Sequence, residues 1–106
     1  MKTHNKLVRD KIPEIIKSNG ESCKTRILDT NEYLAELNTK LKEELNEYLN
    51  AKDNSAAIEE LADLEEVLRA VLDARGVSYD NFEEVRLKKV AKRGAFKDRI
   101  FLETTF

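Results

Sequence analysis

Cysteine is nearly absent: Cys23 stands alone, so no intrachain disulfide can form and no cysteine-based metal site can be assembled. Cys23 itself reads as a small apolar residue of a strand rather than a nucleophile, because the single histidine, His4, lies in the ragged N-terminal stretch. The lack of any histidine on the helical segments also removes the Glu-x-x-His motifs of di-iron bundles. No glycine-rich phosphate loop occurs, which sets aside P-loop kinases and NTPases. No apolar run approaches the ~20 residues of a membrane span, and the first residues carry no apolar signal core. A soluble, cytoplasmic protein with no membrane partner is therefore expected. Charge of one sign is missing too. With 19 basic and 21 acidic residues the net charge is −2, which argues against a partner that is a nucleic-acid polymer.

Proline and glycine are scarce enough to act as punctuation, with one Pro and three Gly in 106 residues. Pro13 suits the first turn of a short helix that Asn19-Gly20 ends. Cys23–Leu28 reads as a short extended piece. Asp29, Thr30 and Asn31 offer N-caps for a second helix over 31–51, whose leucines recur at helical spacing. The turn 52–55 leads to a third helix over 55–74, closed by Arg75-Gly76. Ser78 or Asp80 starts a fourth, ending at Arg93-Gly94. The tail carries Phe96, Ile100, Phe101, Leu102 and Phe106, too apolar for a free end, so it should pack on the body or on a second subunit. The expectation is one all-α domain over 1–106 with about four helices.

Two acidic clusters flank the turn between the second and third helices: Glu43-Glu44-Leu45-Asn46-Glu47 and Glu59-Glu60-Leu61-Ala62-Asp63. Acids three residues apart share a helix face. On a wheel of about 100° per residue, Glu44 lies roughly 60° from the centre of the Leu41, Leu45 and Tyr48 stripe and Glu47 roughly 120°, while Glu43 points nearly opposite. The third helix has a wide apolar arc, from Ile58 and Leu61 to Val71 and Leu72. Glu60 falls inside it, between Leu64 and Val67, and Asp63 at its edge. A carboxylate on a buried face is destabilising unless it is paired or holds a metal. The wide arc calls for cover on more than one side, which a homodimer built as a helical bundle can supply.

Antiparallel pairing of the two helices brings four carboxylates together, and the natural occupant of an all-oxygen cluster is Mg²⁺, with Mn²⁺ as the other fit. Such an ion commonly holds substrate phosphates and activates water, so metal-assisted hydrolysis of a phosphoanhydride is the chemistry left open. Lys88, Lys89, Lys92 and Arg93 near the end of the fourth helix, and Lys6 and Arg9 near the N-terminus, are the basic groups available to a phosphate chain. Plainer explanations stand beside these. Glutamate-rich helices are commonly just solvated. The acids can pair with Lys40 and Lys42 in a helical interaction module. Cations near a helix C-terminus favour its dipole without binding anything.

The pattern Glu43-Glu44-x-x-Glu47 followed by Glu60-x-x-Asp63 resembles the signature of the MazG-like, all-α NTP pyrophosphohydrolase superfamily. The opening Asn5-Lys6-Leu7-Val8-Arg9-Asp10-Lys11-Ile12-Pro13 and the ending Lys89-x-x-x-Arg93-Gly94-x-Phe96 are similar to its phosphoribosyl-ATP pyrophosphohydrolase-like branch of small bacterial proteins. The resemblance implies a helical bundle completed by homo-oligomerisation, as a dimer or tetramer. It implies cleavage of a nucleotide between its α and β phosphates, releasing monophosphate and pyrophosphate, in a house-cleaning role against non-standard nucleotides. By position it makes Glu44, Glu47, Glu60 and Asp63 the catalytic Mg²⁺ ligands, with Lys89 and Arg93 touching substrate phosphates. Lys6 and Arg9 either bind substrate or dock the N-terminal segment. The alternative is a non-catalytic helical module that senses nucleotide or binds another protein.

Overall fold

Each long helix begins where a short polar side chain can take up an otherwise unpaired backbone N–H. In the computed structural model, which describes all residues from Met1 to Phe106, the four helices are α1 (Ile12–Ser18), α2 (Thr30–Leu49), α3 (Asn54–Ala74) and α4 (Tyr79–Arg93). Asp29 accepts from the Glu32 N–H at 2.9 Å, Asp53 from the Ala56 N–H at 2.8 Å, and Ser78 from the Asn81 N–H at 3.1 Å. Pro13 sits in the first turn of α1. Gly20 and Gly76 close α1 and α3 with φ of 84° and 74°, a left-handed conformation that glycine adopts without steric penalty. After each, the next N–H reaches back to a helix carbonyl: Glu21 to Ile16 and Val77 to Leu72.

The protein is all-helical, with no strand. That corrects the expectation for Cys23–Leu28. The segment is irregular and has no neighbouring strand to complete a ladder, and Cys23 is exposed. Arg26 ties this link to the start of α2 through Glu32 at 2.9 Å.

α2 and α3 are joined by the four residues 50–53 and form the one extensive helix–helix interface, an αα-hairpin. Its core is thin. Leu37 on α2 and Val71 on α3 are the only buried residues. Both helices also carry apolar residues on a second, open side: Leu45 and Leu49 on α2, Ile58 and Leu61 on α3. α4 touches α3 only slightly. The Arg69 guanidinium lies 4.0 Å over the Tyr79 ring and braces the corner between them. No Cα of α1 comes within 8 Å of another helix. The tail does not pack on the body: Phe96, Ile100, Phe101, Leu102 and Phe106 are all exposed. No helix is long and apolar enough to cross a membrane.

The dimensions record this openness. The radius of gyration is 18.4 Å, against about 13 Å for a compact domain of this length. The accessible surface is 9835 Å², against about 6,000 Å² for a folded monomer of this mass.

Removing the cap at the hairpin turn should loosen the element that carries the acids. Asp53→Ala is expected to lower stability by about 1 kcal/mol, read as a lower urea midpoint with unchanged slope.

Candidate metal centre

α2 places Glu44 and Glu47 one turn apart, and α3 does the same for Glu60 and Asp63. The hairpin turns these pairs toward each other. One carboxylate oxygen each from Glu44, Glu47 and Glu60 lie within 4.8 Å of one another. Glu44 and Glu60 are half-buried and Glu47 is exposed. Glu44 lies deeper than the wheel places it. The face of α2 that meets α3 runs through Leu37, Leu41, Glu44 and Tyr48, and Leu45 is turned outward. Oε2 of Glu44 and Oε2 of Glu60 are cut off from solvent and receive no hydrogen bond. Two buried acceptors without donors, on side chains of one acidic cluster, are costly in a purely structural role. A hard cation bound by oxygen ligands satisfies them, so the donor set fits Mg²⁺ or Mn²⁺.

Three acids this close cannot all stay ionised at little cost. A proton on Glu60 can be shared with the neighbouring Glu47 carboxylate, and this is the largest influence on Glu60; burial and the charges of Glu47, Asp63 and Glu44 add to it, and its pKa rises to about 7. Burial, then the charges of Glu47 and Asp63, push Glu44 up as well, against a small opposing pull from Lys40. In the metal-free cluster Glu60 therefore still carries a proton part of the time near neutrality.

Asp63 is half-buried on the same face of α3, but its Oδ1 accepts from the Arg9 guanidinium at 2.6 Å. Arg9 thus anchors the N-terminal segment beside the acids, a pairing across 54 residues that no helical spacing rule reaches. Lys6 is exposed and forms no ion pair within the chain. Lys89 and Arg93 line a shallow recess with Val85, Lys88 and Lys92, made by α4 alone. So the protein brings Glu44, Glu47 and Glu60 together, with Asp63 and Arg9 alongside. It leaves Lys89 and Arg93 on a separate helix. Glu43 faces outward and pairs with Lys40 at 3.6 Å, as its wheel position requires.

Comparison with known proteins adds little chemistry. No family model matches the chain, and no solved structure does. The chain is similar to an uncharacterized protein of Mycolicibacterium smegmatis, 45% identical over 53 residues, which is 50% of this chain and 54% of that protein. It thus spans about half the length of this relative.

The protonation pattern sets a sign for stability. Folded Glu60 keeps its proton up to about pH 7, whereas the ordinary value is 4.5. Its contribution to metal-free stability is complete below about pH 4.5 and is lost as pH rises through about 7. Glu60→Gln, neutral at every pH, should remove that loss. Melting temperatures between pH 4.5 and 8 are expected to fall less steeply for Glu60→Gln than for the parent chain. Glu43→Gln should follow the parent; equal effects of the two changes would contradict the asymmetry between them.

Proposed function

We propose that this protein is a Mg²⁺-dependent nucleotide pyrophosphohydrolase of the MazG-like kind, acting as a homo-oligomer. The observation that carries the proposal is that the carboxylates of Glu44 and Glu60, each with a buried, donorless oxygen, cluster with that of Glu47. Glu44, Glu47 and Glu60 would hold the ion, with Asp63 completing the set. Bound there, the ion supplies neutralising charge to a phosphate chain and lowers the pKa of water.

The chain's own residues then have distinct tasks. Arg9, fixed beside the acids by Asp63, offers a guanidinium to an arriving phosphate in the paired geometry that suits it. Lys89 and Arg93, with Lys6, supply further positive charge. In the reaction, water forms a bond to phosphorus and the α–β phosphoanhydride bond breaks. The products are nucleoside monophosphate and pyrophosphate. Clearance of non-standard nucleotides in the cytoplasm is the role proposed for it, and the exposed thiol of Cys23 suits a reducing compartment.

Homo-oligomerisation, as a dimer or tetramer, has its own support. The surface exceeds that of a compact chain by nearly 4,000 Å², whereas a stable interface needs about 800 Å² from each partner. The same exposed apolar faces also suit a non-catalytic module that binds nucleotide or another protein.

Two measurements test the proposal. Purified protein with Mg²⁺ and a panel of NTPs, dNTPs and phosphoribosyl-ATP should yield monophosphate and pyrophosphate from at least one member. Failure across the panel, with nucleotide still bound, would instead favour the sensing module. Thermal melting should respond to Mg²⁺ alone. An ion at a hundredfold excess over its Kd adds about 2.7 kcal/mol to the folded state. The shift should grow from pH 5.5 to 8, because the ion must displace the proton held by Glu60. A shift independent of pH, or none, would count against the carboxylate site.

A further inference from the structure

The outer side of α3 is an open apolar groove lined by Ile58, Leu61, Ala62, Leu64 and Leu68, with Glu65 at its edge. α2 does not cover it: Ile58 is 58% exposed and Leu61 43%. At the other end of the chain, the segment after Gly94 carries Phe96, 98% exposed, and Phe101, 87% exposed, with Ile100 and Leu102 between and after them. Apolar surface on this scale, in two separate places, is a strong driving force for burial.

The segment does not cover its own groove. α4 is rooted at the C-terminal end of α3 and meets that helix only slightly. Its 15 residues carry the arm about 22 Å from the corner. The chain is 63 Å long, although α3 itself measures only about 32 Å.

Charge identifies the occupant. α3 bears six acidic side chains, Glu59, Glu60, Asp63, Glu65, Glu66 and Asp73, against one arginine, Arg69. Two α3 helices packed face to face would set these fields against each other. The stretch 86–99 bears seven basic side chains and one acid, Asp98. It opposes α3 in sign and leads directly into the apolar arm.

We propose that the arm Ala95–Phe106 of one copy lies in the α3 groove of a second copy, which returns its own arm in exchange. Phe96, Ile100 and Phe101 fill the space along Ile58, Leu61 and Leu68. The basic end of α4 and Lys97 and Arg99 of the arm face the acids of α3. Such reciprocal exchange closes on itself, so it yields a finite assembly rather than a fibre. This proposal rests on self-association of the chain and not on the metal chemistry.

The test begins with sedimentation velocity on the full chain and on a chain ending at Gly94. The full chain should sediment as a dimer or larger at micromolar concentration. Loss of the arm should weaken association by about a hundredfold or more, and Phe101→Asp in the full-length chain should act in the same direction. If the full chain is monomeric, self-association fails and the arm exchange with it. If the shortened chain and Phe101→Asp both associate as tightly as the parent, the arm exchange fails while self-association survives. A second measurement locates the contact. In a Cys23→Ser background, a chain with Phe101→Cys is mixed with a size-tagged chain with Leu61→Cys. A disulfide joining the two chains under native conditions, and none in denaturant, supports the exchange. Both substitutions in one chain giving only an internal disulfide in a monomer would overturn it.

Discussion

The crowding of carboxylates between α2 and α3 is the constraint around which the hairpin is built. At Glu44 and Glu60 an apolar side chain would extend a core that otherwise buries only Leu37 and Val71. The sequence instead sets acids there, and two of their oxygens are sealed from water without a donor. The cluster answers by holding protons, with Glu60 raised to about 7. Under the proposed function, a cation that replaces the Glu60 proton would find ligands already gathered on one hairpin. On the reading proposed above, the features that weaken the metal-free hairpin are the ones that would prepare it for an ion.

A thin core also explains the shape of the molecule. Two helices joined by a short turn can bury one face each, and these helices have more apolar residues than one face can hold. Leu45, Leu49, Ile58 and Leu61 remain outside, as do α4's Val85 and Leu87 and the whole aromatic arm. The proposed association of copies would cover this exposed apolar surface. The acidic character of α3 and the basic character of the stretch 86–99 give it a direction.

Much of this was legible in the residues, because its causes are local. Asp29, Asp53 and Ser78 are short polar groups standing just before helical periodicity, and each caps the helix that follows. Glu60 could be placed on a wheel, and Glu43 could be turned toward solvent, where the structure pairs it with Lys40. The depth of Glu44 was not legible. The centre of the apolar stripe depends on which side α3 covers, and α3 leaves Leu45 outside. The Arg9–Asp63 pair joins residues far apart in sequence, and no periodicity foretells it. Cys23–Leu28 has strand-like composition but lacks a partner to form a ladder. The tail's apolar content called for burial, and one copy of the chain does not provide it.

The central claim is that the acids of the hairpin form a metal site whose ligands exchange protons for the ion. Calorimetric titration of Mg²⁺ into the protein near pH 6.5, repeated in buffers of different ionisation enthalpy, measures binding and proton release together. Saturable binding with net release of protons, absent in Glu60→Gln, is the expected result. Heats that do not saturate, or binding with no proton release that Glu60→Gln leaves unchanged, would contradict it.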